Sequence, residues 1–271
     1  MSFEQIIDSS ALNRLFAFIL VFSVMSLWES AMPRRARQIP RHRRWRVNLA
    51  LIVSAAVVVR LVSPFLAVAA GLWARHLGWG LLPALALPSW LALVLTLVFF
   101  DLAIYLQHRV FHGLGWLWRL HRVHHADPEL DASSGTRFHP LEILLSALWR
   151  GVVALALGAS PQSVLVFELL LNGLAVFNHA NLRLPSRVEF ALRCFIVTPD
   201  MHRVHHSIEP DEYTTNFGFN LSLWDRLFRS YRAQPRLGHE EMRIGLRGLD
   251  VATAGSFAGS LWMPFRSSPR A

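Results

Sequence analysis

The sequence predicts an all-α integral membrane protein: a bundle of about four transmembrane helices, one region of which reads as a re-entrant or tilted hairpin, with a histidine-rich helical cap on the cytoplasmic side. Three observations carry that prediction. Of 271 residues, 53% are hydrophobic and only 17% charged, against roughly 25% charged in a soluble domain. Four apolar regions reach or exceed the length of about 20 residues that a helix needs to cross a bilayer, or come close to it. Histidines recur at three- and four-residue spacing in three separate segments.

The first apolar region is Leu12 to Trp28. Acids (Glu4, Asp8) precede it instead of a basic n-region, and no Ala-x-Ala cleavage site follows, so it reads as a span and not as a cleaved signal. After it comes "RRARQIPRHRRWR", Arg34 to Arg46, with seven arginines and no acid. Such a run suggests nucleic-acid binding in isolation, but beside an apolar segment it marks a cytoplasmic loop. The second region, Val47 to Trp73, is interrupted by Arg60; the third, Leu81 to Leu106, has two early prolines and ends in "FFDLAIYLQH". The fourth, Leu141 to Phe177, is too long for one span and breaks at "GASP", Gly158 to Pro161, as a helical hairpin of two short arms, either a re-entrant or tilted pair or two full crossings. If the arginine loop is cytoplasmic, the second span runs outward and the third returns. The hairpin then goes out and back, and every clustered histidine reaches one membrane face. This organises the chain as 1–98, membrane helices with the arginine loop; 99–231, a domain bearing the histidines; and 232–271, a Gly-, Ser- and Arg-rich tail read as weakly determined or interfacial. The single cysteine, Cys194, excludes an internal disulfide and a thiolate cluster.

The pentapeptide "HRVHH" occurs at His121 to His125 and again at His202 to His206. With His108-x-x-x-His112 these make three clusters, and "FNHANL" adds His179. On a helix, residues three and four apart share a face about 5 to 6 Å apart at Cβ, so two imidazoles there can chelate one ion. An adjacent histidine, about 100° further round, can reach a second ion. Nine imidazoles, His108, His112, His121, His124, His125, His179, His202, His205 and His206, exceed what one ion can use, which points to a dinuclear site. Imidazole suits iron, zinc, copper and nickel alike. Supporting groups are expected at Asp101, two turns before His108 and placed to accept an imidazole N–H or to pair with Arg109 or Arg122; at His139 in "TRFHPLE", beside Pro140 and Glu142, as a helix-start residue or a ligand; and at Asn181 and Asn216. His42 and His76 read as loop or interface residues, and His239 as solvated.

The motifs "DLAIYLQHRVFH", "LWRLHRVHH", "TRFHPLE", "FNHANL", "TPDMHRVHHS" and "NFGFNLSLWDRLFRSY", in that order from about Phe99 to Tyr231, make the chain similar to the membrane fatty acid hydroxylase and sterol desaturase superfamily. The resemblance implies that the nine histidines hold a di-iron centre at the cytoplasmic face, with O2 as co-substrate, and that a lipid C–H bond is hydroxylated or dehydrogenated there. The chain departs from the family in two places. Ala175 stands where some members carry a further histidine, and Arg229-Ser230 stands where Gly-Thr is usual.

Chemistry of that kind needs a redox-active metal in an apolar channel, because an unactivated C–H bond resists acid or base attack. The expected substrate is a fatty acyl, sterol or isoprenoid lipid entering from the bilayer. No flavin, haem, nicotinamide, phosphate-loop or Ser-His-Asp pattern occurs, so electrons are expected from a separate cytochrome, ferredoxin or reductase, with the arginine loop as a candidate dock for it. The arginine-rich, lysine-free composition suggests a bacterial inner membrane. Competing readings are a zinc-dependent membrane hydrolase, against which stands the lack of His-Glu-x-x-His, and a nonenzymatic metal-binding protein, against which stands the gathering of the histidines at one edge.

Overall fold

A computed structural model describes residues 3–62 and 67–266, with the backbone alone over 3–11. It is helical throughout, with only isolated bridges such as Ile196 to Leu221 among the described residues. The membrane half consists of α1 (Phe3–Ala31), α2 (Arg41–Leu61), α3 (Ala67–Leu77), a single turn α4 (Leu81–Ala84) and α5 (Ser89–Gly113), followed, after α6 (Gly115–His125) and a 3₁₀ turn (Ala132–Thr136), by α7 (Pro140–Leu157) and α8 (Pro161–His179).

Among the described residues, four helices are long and apolar enough to cross a membrane: Leu12–Ala31, Ser89–Gly113, Pro140–Leu157 and Pro161–His179. Of the two forms open to the fourth apolar region, the structure has the two full-length helices and not the short re-entrant pair. One expectation changes. The second region supplies no qualifying span among the described residues: α2 ends at Leu61, just past Arg60, α3 begins at Ala67, and residues 63–66 lie outside the described residues.

The hairpin turn follows from its sequence. Gly158 caps α7 at φ 64, and Ser160 accepts the Ser163 N–H at 3.1 Å to start α8, with Pro161 in its first turn. A Cβ at Gly158 would also lie 2.5 Å from the Trp79 carbonyl, so the turn between α3 and α4 closes onto it. That contact marks one end of the bundle. At the other end, Glu29 near the close of α1 accepts the backbone N–H of Ala132 (3.0 Å) and Asn181 (2.9 Å), and the last turn of α5, the first of α7 and the last of α8 meet. Between the two ends, Val68, Phe100, Ile104, Leu157, Phe167 and Leu171 pack the core of α3, α5, α7 and α8.

The histidine end is closed by short elements: α9 (Ser186–Arg193), α10 (Pro199–His205), α11 (Pro210–Tyr213) and α12 (Leu223–Leu227), then α13 (Gly238–Glu241), α14 (Val251–Ala254) and α15 (Phe257–Trp262). The tail is therefore ordered as far as Arg266, contrary to expectation, and 267–271 lie outside the described residues. It is held by burial: Leu246, Leu249, Leu261 and Met263 pack on Val47, Leu51, Val123 and Ala126, while Arg137 donates to Ala254 O (2.9 Å) and Ser260 Oγ (3.0 Å). His239 is likewise buried, 3.6 Å from Asp200, and not solvated.

Arg229, one of the two family departures, has φ 58 and an exposed side chain. A left-handed conformation costs a non-glycine residue about 1–2 kcal/mol. Arg229→Gly is expected to stabilise the protein by about 1 kcal/mol, read as a raised Tm in detergent; an unchanged or lowered Tm would show that the arginine side chain compensates.

Candidate metal centre

Four helices deliver the nine clustered histidines: α5 carries His108 and His112, α6 carries His121, His124 and His125, α8 ends at His179, and α10 with its cap carries His202, His205 and His206. Their ligand-capable nitrogens form two neighbouring groups, each with all such atoms within 4.8 Å of one another. One holds His108, His112, His121, His125 and His205; the other holds His124, His179, His202 and His206. The partition follows helix geometry. Pairs four apart (108 and 112, 121 and 125, 202 and 206) stay together, while pairs three apart (121 and 124, 202 and 205) separate, as do both His-His doublets. The three-residue spacing thus bridges the groups instead of chelating within one.

The outer ring nitrogens assign the tautomers. His108 Nδ1 lies 2.8 Å from Phe217 O, His124 Nδ1 3.1 Å from Arg137 O, His179 Nδ1 2.7 Å from Ala175 O and His205 Nδ1 2.8 Å from Thr215 O, while His121 Nδ1 lies 2.6 Å from Glu142 Oε1. Carbonyls only accept, so Nδ1 of His108, His124, His179 and His205 must donate, and an ionised Glu142 imposes the same on His121; each such Nε2 is left with an acceptor lone pair. Yet His108 Nε2 and His121 Nε2 stand 3.0 Å apart, as do His124 Nε2 and His179 Nε2. These are lone pairs facing lone pairs, one such contact in each group. His112 and His125 add ring nitrogens that are buried with no hydrogen-bond partner. Convergent, unprotonated, unpartnered imidazole nitrogens fit a transition-metal ion in each group, and nothing else among the described side chains satisfies them.

Burial keeps the cap imidazoles neutral. His124, His125, His202, His205 and His206 titrate well below the usual imidazole range because burial disfavours the cation and neighbouring histidines add repulsion; burial holds His121 at about 3.

Of the residues expected in support, His139 takes the helix-start role and the others bond outside the histidine groups. Asp101 makes no bond to a histidine; its Oδ2 accepts Trp224 Nε1 (2.9 Å) and the Leu221 N–H (3.1 Å), tying α5 to the cap. His139 stands outside both groups and caps α7, its Nδ1 accepting the Leu141 N–H at 3.2 Å. Asn181 pairs with the backbone of Arg35 (3.0 and 2.8 Å), and Asn216, at φ 53, clamps Met201 O (2.9 Å) to Arg232 (2.8 Å). Glu142 is the carboxylate that meets a clustered histidine, and the sequence flagged it only as a neighbour of His139. Its signal was an acid in the first turn of an apolar helix, where a charge needs a partner. Asp225 was also missed. It accepts the N–H groups of Phe217 and Gly218 (2.8 Å each) and so aims the Phe217 carbonyl at His108.

The arginine stretch packs on this same edge. Arg44 binds Asp127 (2.8 Å, bidentate) and Asp131 (2.7 Å), Arg41 binds Glu29 (2.8 Å), and Arg34 binds Asp200 (3.2 Å). Burial alone would raise the Asp127 carboxyl, but the Arg44 guanidinium outweighs it and holds the group at about 2. Much of the basic charge expected to face a partner is therefore spent inside the protein. On the membrane side, a cavity of about 150 Å³ reaches His108 and His121, walled there by Phe111, Phe138 and Glu142; Ala175, the other family departure, lines it.

Fold and site together define a helical integral membrane protein with two adjoining polyhistidine sites suited to metal ions. The pattern of the fatty acid hydroxylase family matches residues 93–230, and the chain belongs to that family. Among curated relatives, ornithine lipid hydroxylase OlsE of Rhizobium tropici is 30% identical over 183 residues, covering 68% of this chain and 53% of that protein. Alkylglycerol monooxygenase of Homo sapiens is 28% identical over 134 residues (49% and 29%), and cholesterol 25-hydroxylase of Rattus norvegicus 29% over 148 (52% and 47%). The chain spans about half the length or less of these relatives. No solved structure is significantly similar to it.

Two predictions follow from the geometry. Glu142→Gln is expected to weaken metal retention about 10- to 100-fold in competition with a chelator; unchanged retention would reduce Glu142 to a packing role. Because the cap imidazoles are held neutral, their contribution to stability is complete above the ordinary imidazole value of 6.5 and is lost as pH falls below it. The Tm in detergent is therefore expected to be level from pH 8 to 7 and to fall below pH 6.5; a level Tm down to pH 5 would contradict the assignment.

Proposed function

We propose that the chain is a membrane-bound oxidoreductase that holds two iron ions, one in each histidine group, and uses O2 and external electrons to hydroxylate or desaturate a C–H bond of a lipid. The observation that carries this reading is the pair of facing Nε2 lone pairs, one in each group. His108, His112, His121, His125 and His205 would hold one ion, and His124, His179, His202 and His206 the other. Iron so bound supplies the change of oxidation state and the O2 chemistry that no side chain provides. The protein's own part is positional. Main-chain carbonyls and Glu142 fix the imidazole tautomers, the apolar wall at Phe111 and Phe138 keeps water from the His108–His121 side, and the cavity admits a lipid chain from the bilayer. The names of the relatives support lipid oxidation as the reaction class. The arginine-rich edge supports a cytoplasmic site by charge bias, in keeping with a bacterial inner membrane, and the electrons come from a separate cytochrome, ferredoxin or reductase.

The test is metal content with Mössbauer spectroscopy on detergent-purified protein, beside a His124→Ala, His205→Ala double variant that takes one imidazole from each group. About two irons per chain, lost in the variant, are expected. Zinc retained after iron-supplemented growth, with no O2 uptake under reduction, would overturn the reading in favour of a zinc hydrolase.

A further inference from the structure

The cavity beneath the histidines is not uniformly apolar. Along α7, Glu142, Ser146 and Arg150 recur at four-residue spacing and line one wall over about 12 Å. Gln107 of α5 and Asn172 of α8 face the same space. All but Glu142 are half-buried or exposed, so the cavity is open where they stand and closed where the histidines stand. Polar side chains at this depth in a membrane protein are expensive and mark functional positions by default.

Arg150 is the centre of this polar end. Its Nη1 donates to Ser146 Oγ at 2.8 Å, its Nε stands 3.6 Å from Glu168 Oε1 and has no hydrogen-bond partner, and its side chain is 15% exposed. Glu168 meanwhile pairs closely with Arg14 of α1. Two guanidiniums thus share one carboxylate, which leaves one positive charge uncompensated. The other carboxylate on the cavity wall, Glu142, is two turns away and engaged by His121. A guanidinium has five donors in a planar fork suited to an oxyanion, and an unbalanced charge in low dielectric favours a ligand that neutralises it.

We propose that Arg150, aided by Ser146 and Asn172, anchors an oxyanion of the lipid substrate, a carboxylate or phosphate, and so sets which part of the chain lies against His108 and His121. This rests on the reading of the cavity as the substrate's site. It makes Arg150 a specificity-determining residue and the substrate an acidic lipid in place of a neutral one.

The test is equilibrium binding of oleate, oleyl phosphate and oleyl alcohol to the full chain in neutral detergent, for wild type, Arg150→Met, Arg150→Lys and Asn172→Leu. The acidic probes are expected to bind wild type at least about tenfold more tightly than the alcohol, the difference one charged hydrogen-bonded contact makes. Arg150→Met should abolish that preference and leave alcohol binding unchanged, Arg150→Lys should keep part of it, and Asn172→Leu should reduce it. The better acid of the two distinguishes carboxylate from phosphate. Equal binding of acid and alcohol by wild type, or an acid preference that survives Arg150→Met, would overturn the proposal and leave Arg150 as a tie between α7 and α8. Should Arg150→Met fail to fold, the wild-type selectivity and Asn172→Leu decide. Binding needs neither turnover nor a particular metal, so a failure here is separable from a failure of the iron reading.

Discussion

Imidazole nitrogens carrying lone pairs are aimed at one another across the interior of this protein, an arrangement that a cation among them would relieve. Five of the nine rings are locked by a donated Nδ1–H into the tautomer that presents Nε2 inward. The acceptors are spread along the chain: a carboxylate on α7 and carbonyls at Arg137, Ala175, Thr215 and Phe217. Distortion of any of these elements turns a ring, so the site and the cap form a single mechanical unit. Burial completes the constraint by excluding the imidazolium form that would otherwise relieve the repulsion by protonation.

The aqueous edge is built to hold that unit on the membrane helices. Arg44 joins the start of α2 to Asp127 and Asp131, just after the second histidine cluster, and Asn48 links the same carboxylate to Ser133 and Arg137. Arg137 in turn reaches α6 through Val123 O and the tail through Ala254 O, while its own carbonyl receives His124. The buried ion pairs and hydrogen bonds are mutually satisfied, the condition under which such networks specify one arrangement. Glu29 plays the matching part for α1, pairing with Arg37 and Arg41. The arginine run is therefore both a topological signal and a set of fasteners.

Below the cap, the apolar helices do more than cross the bilayer. Packing of α3, α5, α7 and α8 around Phe100 and Phe167 leaves a cavity that begins at His108 and His121 and runs to Arg150. Histidine, apolar and charged surfaces thus lie in sequence along one cavity, the arrangement that the proposed anchoring of a lipid by one end requires.

The periodicities in the sequence determined the helical membrane class, the gathering of the histidines at one edge and the membership of all nine in one cluster, because apolar length and three-to-four spacing are local properties of a helix. The hairpin was legible at "GASP" for the same reason, though not that the second apolar region would furnish no qualifying span among the described residues. What belongs to contacts between distant segments could be read only in the tertiary structure. His121 parts from His124, and His202 from His205, because the facing helices decide which imidazoles share a centre. Asp101 bonds Trp224, some 120 residues on, while Glu142 takes the histidine. The tail and His239 are buried by surfaces that no local pattern announces. Local spacing places a side chain on a face of its helix; which partner that face meets is set by the packing of the whole bundle.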